Sequence, residues 1–129
     1  MIKTRIITPN GLYKELETPI INITSKDGER GILPNHMPVV FMLDIGRLET
    51  EENGKRCCYA ITEGMFYFEN NEASILVSAI ESREDIDVER AKASRLRQLR
   101  RIESRDPNYD LNRAEVSLRK AINRIKIAS

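Results

Sequence analysis

Gly31-Ile32-Leu33-Pro34-Asn35-His36-Met37-Pro38 joins two extended apolar runs in a chain of 129 residues. Gly31 accepts backbone angles closed to other residues. Pro34 and Pro38 each fix φ and push the residue before them away from helix. No helix runs through such a segment. Apolar side chains (Ile32, Leu33, Met37, Val39, Val40) sit between the punctuating residues, which argues against a free hinge. The stretch predicts a rigid corner between two strands, with His36 near its tip.

Outward from the corner the signals are those of short strands. Extended runs are expected over 3–8, 12–18, 20–24, 30–33, 39–43, 47–50, 55–61, 64–69 and 72–78. They are separated by Pro9-Asn10-Gly11, Pro19, Lys26-Asp27-Gly28, Asp44-Ile45-Gly46, Glu52-Asn53-Gly54 and Asn70-Asn71. Asn53-Gly54 is the strongest of these, because a type I′ hairpin needs φ > 0 at both central residues. About nine to ten short strands at short intervals have the texture of a β-sandwich or barrel.

The period changes after residue 83. From Asp87 onward there is no glycine, and Pro107 is the only proline. Asp87 can cap a helix whose Val88, Ala91, Leu99 and Ile102 share one face, with Leu96 beside it. Asp106 with Pro107 at the first helical position predicts the start of a second helix. There Leu111, Ala114, Leu118, Ala121, Ile122 and Ile125 form a helical stripe. So short a connection makes the helices antiparallel. The seam residues Ala91, Ala114 and Ala121 are small, so the helices approach closely but bury little apolar area. Such a hairpin is expected to open or to leave the sandwich, an equilibrium that a ligand can shift. The expected division is a β-sandwich at 1–83 and an α-helical hairpin at 84–129.

Charge follows the same division. Residues 1–81 carry 8 Lys+Arg against 12 Asp+Glu, and residues 82–129 carry 13 against 8, so a net +1 hides an acidic body and a basic tail. That asymmetry speaks of partners more than of fold. Cys57 and Cys58 are adjacent, a poor geometry for a disulfide with each other, and are expected as reduced thiols. The N-terminus lacks the apolar block of a signal peptide, and no run approaches a membrane span. A lone histidine without a partner cluster does not make a metal or catalytic site. There is no Ser/His/Asp or Cys/His arrangement, and no Gly-x-x-x-x-Gly-Lys-Ser/Thr loop for phosphoryl transfer.

The corner, with Gly28-Glu29, Gly31-Ile32-Leu33-Pro34, His36 and Pro38 in place, resembles the epsilon subunit of bacterial rotary F-type ATP synthases. Gly46-Arg47-Leu48 and Thr62-Glu63-Gly64-Met65-Phe66 look like further sandwich landmarks of that family, and the likeness runs over essentially the whole chain. Arg30 departs from it, standing where the family usually has an apolar residue. The resemblance implies a non-catalytic subunit of the central stalk. It would bind the gamma subunit and the c-ring and help couple proton translocation to ATP synthesis. Its hairpin would extend into the alpha/beta head and inhibit ATP hydrolysis. Location would be the cytoplasmic face of the bacterial cell membrane, peripheral, and through the complex only. Glu29 and His36 would belong to the rotor interface.

Ile86-Asp87-Val88-Glu89-Arg90-Ala91 resembles the motif of those epsilon subunits that bind ATP as a regulatory ligand, with no other cofactor. Asp87, Arg90 and Ala91 stand at i, i+3 and i+4, Arg97 lies two turns beyond Arg90, and Lys120 and Arg124 are four apart. Folding the hairpin could gather these charges around a triphosphate, for which the arginine fork is suited. Small Ala91 would leave room for a flat base, and Asp87 could accept from an exocyclic amine. Glu81 matches a further nucleotide contact of the family. Lys120 stands where the ATP binders commonly have arginine, so the charge stays and the fork is lost. Without the resemblance, the alternative is a nucleic-acid-binding β-barrel with a basic hairpin. Aromatics at 5%, no Trp, and Tyr109 as the tail's only aromatic count against base stacking; no nucleic-acid partner is expected.

Overall fold

The computed structural model describes residues 1–105, 107, 108 and 110–129. The chain divides into two compact units, Met1–Ser82 and Arg83–Ser129.

Among the described residues of the first unit there are nine strands. They are β1 (Ile2–Thr8), β2 (Gly11–Thr18), β3 (Ile21–Ser25), β4 (Gly28–Ile32), β5 (Val39–Glu52), β6 (Lys55–Ile61), β7 (Gly64–Glu69), β8 (Glu72–Val77) and β9 (Ile80–Ser82). The strand order is β2-β1-β8-β7-β5-β3-β4, and β6 pairs with both β5 and β9. All ladders are antiparallel except β1 with β8. Period-2 alternation sends Ile2, Thr4 and Ile6 of β1, Phe66 and Phe68 of β7, and Ala73, Ile75 and Val77 of β8 inward. They meet Ile21, Ile23, Leu43, Leu48 and Ile61 in one apolar core, in which the Phe41 and Phe66 rings stack at 4.7 Å. Neither Cys57 nor Cys58 is in a disulfide with another described residue.

Two expectations fail here. Residues 39–43 and 47–50 are not separate strands: β5 runs unbroken through Asp44-Ile45-Gly46. Its inward positions are odd before this point (Phe41, Leu43) and even after it (Leu48, Thr50). Against β3, Ile23 faces Leu48 and Ser25 faces Leu43, so β5 carries three extra residues in a bulge. Thr24 fills the bulge, and its hydroxyl accepts from Arg47 N at 3.0 Å. A Cβ on Gly46 would overlap the Thr24 side chain, so glycine is needed for the close approach. The bulge lets one strand pair with β7 by its first half and with β6 by its second. The other difference is β9, a three-residue edge strand too short to show a period.

The turns follow their sequences. Leu33 to His36 is a β-turn closed by His36 N donating to Leu33 O at 3.2 Å. Asn35 has φ +66° at the position where a type II turn demands a positive value. Asn53 and Gly54 both have positive φ, as do Asn70 and Asn71, which suits I′ hairpins.

In the second unit a 3-10 turn, Arg83–Asp85, leads to α1 (Val88–Ser104) and α2 (Leu111–Ala128). Asp87 caps α1, accepting from Arg90 N at 3.0 Å. The second helix does not start at Pro107, which lies in a turn; Asp110 caps it instead and accepts from Arg113 N at 3.2 Å. Asp106, the expected cap, lies outside the described residues, as does Tyr109. α1 and α2 pack together antiparallel. Arg83 Nε donates to Ile127 O at 2.8 Å, tying the entry of α1 to the end of α2. The seam is small, as expected: Ala91, Ala114 and Ala121 are buried. It is also displaced from the apolar stripes. Gln98, seven residues after Ala91, is buried, whereas Leu96, Leu99, Leu111 and Ile122 are exposed. Close contact favours the small residues, and the larger ones sit to one side.

Candidate functional site: corner, sheet face and basic hairpin

The corner is held from two sides. Asn35 N donates to Asn71 Oδ1 at 2.5 Å, and Asn71 Nδ2 donates to Asn35 Oδ1 at 2.8 Å. This pair locks the corner onto the turn between β7 and β8. His36 Nδ1 lies 2.7 Å from Met37 O, and its ring meets Phe68 edge-on at 5.9 Å. His36 is exposed but anchored, with Leu33 and Met37 exposed on either side. Glu29, on β4, accepts from Thr24 Oγ1 at 2.7 Å and lies 3.6 Å from Arg47 Nε. The bulge residue Thr24 therefore also fixes the glutamate. Arg30 covers the Phe41 ring with its guanidinium 4.5 Å from the centroid. A cation over an aromatic face takes the place of an apolar side chain there.

Sequence reading missed the outer face of the sheet. Cross-strand registers align Met42, Met65, Leu76, Ile7 and Leu12 in one row across five strands, and Val40 beside Tyr67 in the next. Val40, Met42, Tyr67, Leu76 and Leu12 are all exposed. A shallow hollow of about 480 Å³ lies among Ile7, Met42, Met65 and Leu76. The signal was present in Val39-Val40-Phe41-Met42-Leu43: an unbroken apolar strand is built to be covered on both faces. A contiguous apolar patch of this kind marks an interaction surface.

A polar network stands where β2, β5 and β6 meet. Lys14 Nζ lies 2.6 Å from Glu52 Oε1 and donates to Tyr59 OH at 3.0 Å. Tyr59 OH and Thr50 Oγ1 both donate to Glu52 Oε2, at 2.6 and 2.7 Å. Burial works to raise the Glu52 carboxyl, but the bonds from Lys14, Tyr59 and Thr50 prevail and hold it down at about 2. Burial, then the bond to Glu52, pushes the Tyr59 hydroxyl up to about 12. The bond to Glu52 raises Lys14.

On the hairpin, helical geometry sorts the side chains about the seam. On α1, Asp87, Arg90, Ser94, Arg97 and Arg101 fall on one side of the Ala91–Gln98 line, and Val88, Leu99 and Ile102 on the other. On α2, Arg113, Ser117, Lys120 and Arg124 fall on one side of the Ala114–Ala121 line, and Leu111, Leu118, Ile122 and Ile125 on the other. Antiparallel packing brings the two basic sides together: Gln98, Arg101, Arg113 and Ser117 line one cavity. Eleven residues back from Arg101 is Arg90, and eleven on from Arg113 is Arg124, so that pair comes level on the same face. The structure thus brings Arg90, Arg97, Lys120 and Arg124 to one face, with Asp87 at its end. Arg90 and Arg97 are exposed, and Lys120 and Arg124 half-buried. Ala91 does not line that face; it is wholly buried in the seam. Asp87 already spends Oδ1 on the helix cap. Glu81 is on β9, opposite Ala60 of β6.

Among the described residues no group of three or more His, Cys, Asp or Glu side chains could hold a metal ion. No helix among them is long and apolar enough to cross a membrane. A sandwich with an anchored corner and an apolar outer face, followed by a two-faced helical hairpin, defines an interaction subunit, built to be held by other proteins. Residues 1–83 match the family model described as "ATP synthase, Delta/Epsilon chain, beta-sandwich domain", and residues 84–129 the one described as "ATP synthase, Delta/Epsilon chain, long alpha-helix domain". An ATP synthase epsilon chain of Desulforamulus reducens is 39% identical over 99% of both chains. One from Macrococcus caseolyticus is 40% identical over 95% of this chain and 93% of its own. In fold, a chain of the Euglena gracilis mitochondrial ATP synthase superposes with a TM-score of 0.84 at 22% identity, over 95% of this chain and 78% of that one. The chain belongs to the ATP synthase delta/epsilon family, as a central-stalk subunit of the epsilon type and not the subunit that carries catalysis.

Proposed function

We propose that the hairpin is a regulatory arm whose folded form is held by ATP and whose extended form inhibits ATP hydrolysis in the alpha/beta head. The observation that carries this reading is the sorting of the hairpin into a basic face and an apolar face. Arg90, Arg97, Lys120 and Arg124 supply four positive charges from two helices, and a triphosphate bridging them would tie the helices together. The seam alone is weak, because three alanines bury little area. A ligand that binds only the folded hairpin therefore shifts the balance strongly. Asp87 has a second carboxylate oxygen left for the base. Lysine at 120 lowers affinity relative to arginine, since it cannot make paired bonds. ATP here is a ligand, not a substrate.

In the same reading the corner bearing Glu29 and His36 seats on the c-ring, and the apolar sheet face seats on the gamma subunit. Membrane association, at the cytoplasmic face, then comes through the complex alone. A pre-anchored corner supports this, because a turn locked by two Asn35–Asn71 bonds loses little freedom on docking. Calorimetric titration of ATP into the full chain tests the regulatory part. Saturable binding that Arg90→Ala abolishes is expected. No saturable binding up to millimolar ATP would overturn the ATP-held arm and leave inhibition to the extended hairpin.

A further inference from the structure

We propose that the hairpin carries a phosphate-binding site at its turn end, distinct from the Asp87–Arg90 constellation. The cavity there holds about 540 Å³ and is lined by Gln98, Arg101, Asn108, Asp110, Arg113 and Ser117. Gln98 is the telling residue. It is 6% exposed, and among the described residues its side-chain amide has no hydrogen-bond partner. Among the described residues no side-chain nitrogen or oxygen sealed from solvent lacks a partner, so the amide opens into the cavity it lines. A glutamine in a seam otherwise built of alanine is a poor packing choice, because burying an amide without a partner is unfavourable. It makes sense as a donor held for a ligand.

The surroundings fix the ligand's chemistry. Arg101 on α1 and Arg113 on α2 line the same cavity as the amide. The Arg113 side chain has no carboxylate partner among the described residues. Ser117 adds a hydroxyl, and Asn108 a second amide at the rim. Asp110, the one carboxylate among the described lining residues, is engaged as the cap of α2. Two planar forks, an amide and a hydroxyl are the donor set for a tetrahedral oxyanion. The volume admits a phosphate with part of an organic group attached. Its source is either free phosphate or the phosphate tail of a nucleotide. Bound there, it bridges the helices beside their connection and closes the hairpin from the end opposite Arg90 and Arg124.

The test is a nitrogen-15 NMR titration of the full chain, first with inorganic phosphate and then with ATP, against sodium chloride at matched ionic strength. The expected result is saturable shifts of the Gln98 side-chain NH₂ and of the Ala114 and Ser117 amides. Binding should be about tenfold weaker in Gln98→Met and in Arg113→Gln. Arg90→Ala should leave the phosphate arm unchanged, which separates this site from the regulatory ATP reading. Shifts produced by ATP in the Arg90→Ala background assign the nucleotide tail, and shifts by inorganic phosphate alone assign the free ion. Shifts that follow ionic strength, or saturable binding that both variants leave intact, would overturn the proposal. If Gln98→Met lost helix content, Arg113→Gln, at an exposed position, would decide alone: weaker binding supports the site, and unchanged binding overturns it.

Discussion

Replacing Glu52 by glutamine should destabilise the sandwich at neutral pH and leave it almost unaffected in strong acid. Glu52 accepts from Lys14, Tyr59 and Thr50 within 2.7 Å, with its side chain 12% exposed. Its carboxyl lies at about 2, against 4.5 for an ordinary glutamate. At about 1.4 kcal/mol per pH unit the displacement corresponds to about 3 kcal/mol. Lys14 is 41% exposed, and solvent screening reduces this to about 1–2 kcal/mol. Because the folded value is the lower one, the stabilisation is complete above the unfolded value of 4.5 and disappears as pH falls toward 2. Tyr59 and Lys14 act in the opposite sense. Their folded values are raised, so their contribution is complete below the unfolded values of 10.0 and 10.5 and is lost as pH rises through the folded ones. Urea unfolding followed by tyrosine near-ultraviolet circular dichroism reads the right unit, since Tyr13, Tyr59 and Tyr67 are in the sandwich. The gap between the parent and Glu52→Gln should be about 1–2 kcal/mol at pH 7 and should close by pH 2. A gap that is absent at pH 7, or that persists unchanged at pH 2, would show that the charge of Glu52 does not stabilise the sheet.

Gly64→Ala should cost the sandwich about 2–3 kcal/mol, because the added Cβ meets the Leu76 carbonyl, which is backbone and cannot rotate away; the same urea titration measures it. Asp87→Asn should keep the α1 cap, whereas Asp87→Ala should lose about 1 kcal/mol of hairpin stability, read by hydrogen exchange at Arg90 N. Since asparagine caps as well as aspartate, any change in ATP response in Asp87→Asn reports the loss of the second carboxylate oxygen, in charge and as an acceptor, and not the loss of the cap. Ala91→Leu should separate the helices at a cost of about 1–3 kcal/mol, since the position is wholly buried in the seam; faster amide exchange throughout α1 and α2, with β7 and β8 unchanged, is the expected pattern.

What the sequence revealed followed the range of the interaction. The Asn53-Gly54 hairpin, the Pro34-Asn35 turn and the Asp87 cap depend on residues within one turn of each other, and they stand where local chemistry puts them. The continuity of β5 does not: it depends on Thr24, twenty-two residues before Gly46, filling a bulge that reads locally as a turn. The start of α2 was misplaced because Asp106-Pro107 carries a strong local start signal, whereas the helix begins after Asp110, which caps it. The cations of the candidate nucleotide site were legible from i+4 and i+7 spacing. Their sharing of one face, and the burial of Gln98 in place of Leu99, required the register between two helices.

The single parallel ladder sets the order of assembly. β1 is an interior strand, flanked by β2 on one side and by β8 on the other. Lys3 to Ile7 find their second partner only in Glu72 to Leu76. During synthesis the first strand therefore leaves the ribosome long before the residues that complete it, and its Ile2 and Ile6 stay uncovered until nearly the whole sandwich has emerged. The hairpin draws its contacts from a stretch of under fifty residues. Closure of the sandwich is thus the slow step, and it commits the chain late, all at once, just as the arm is being made.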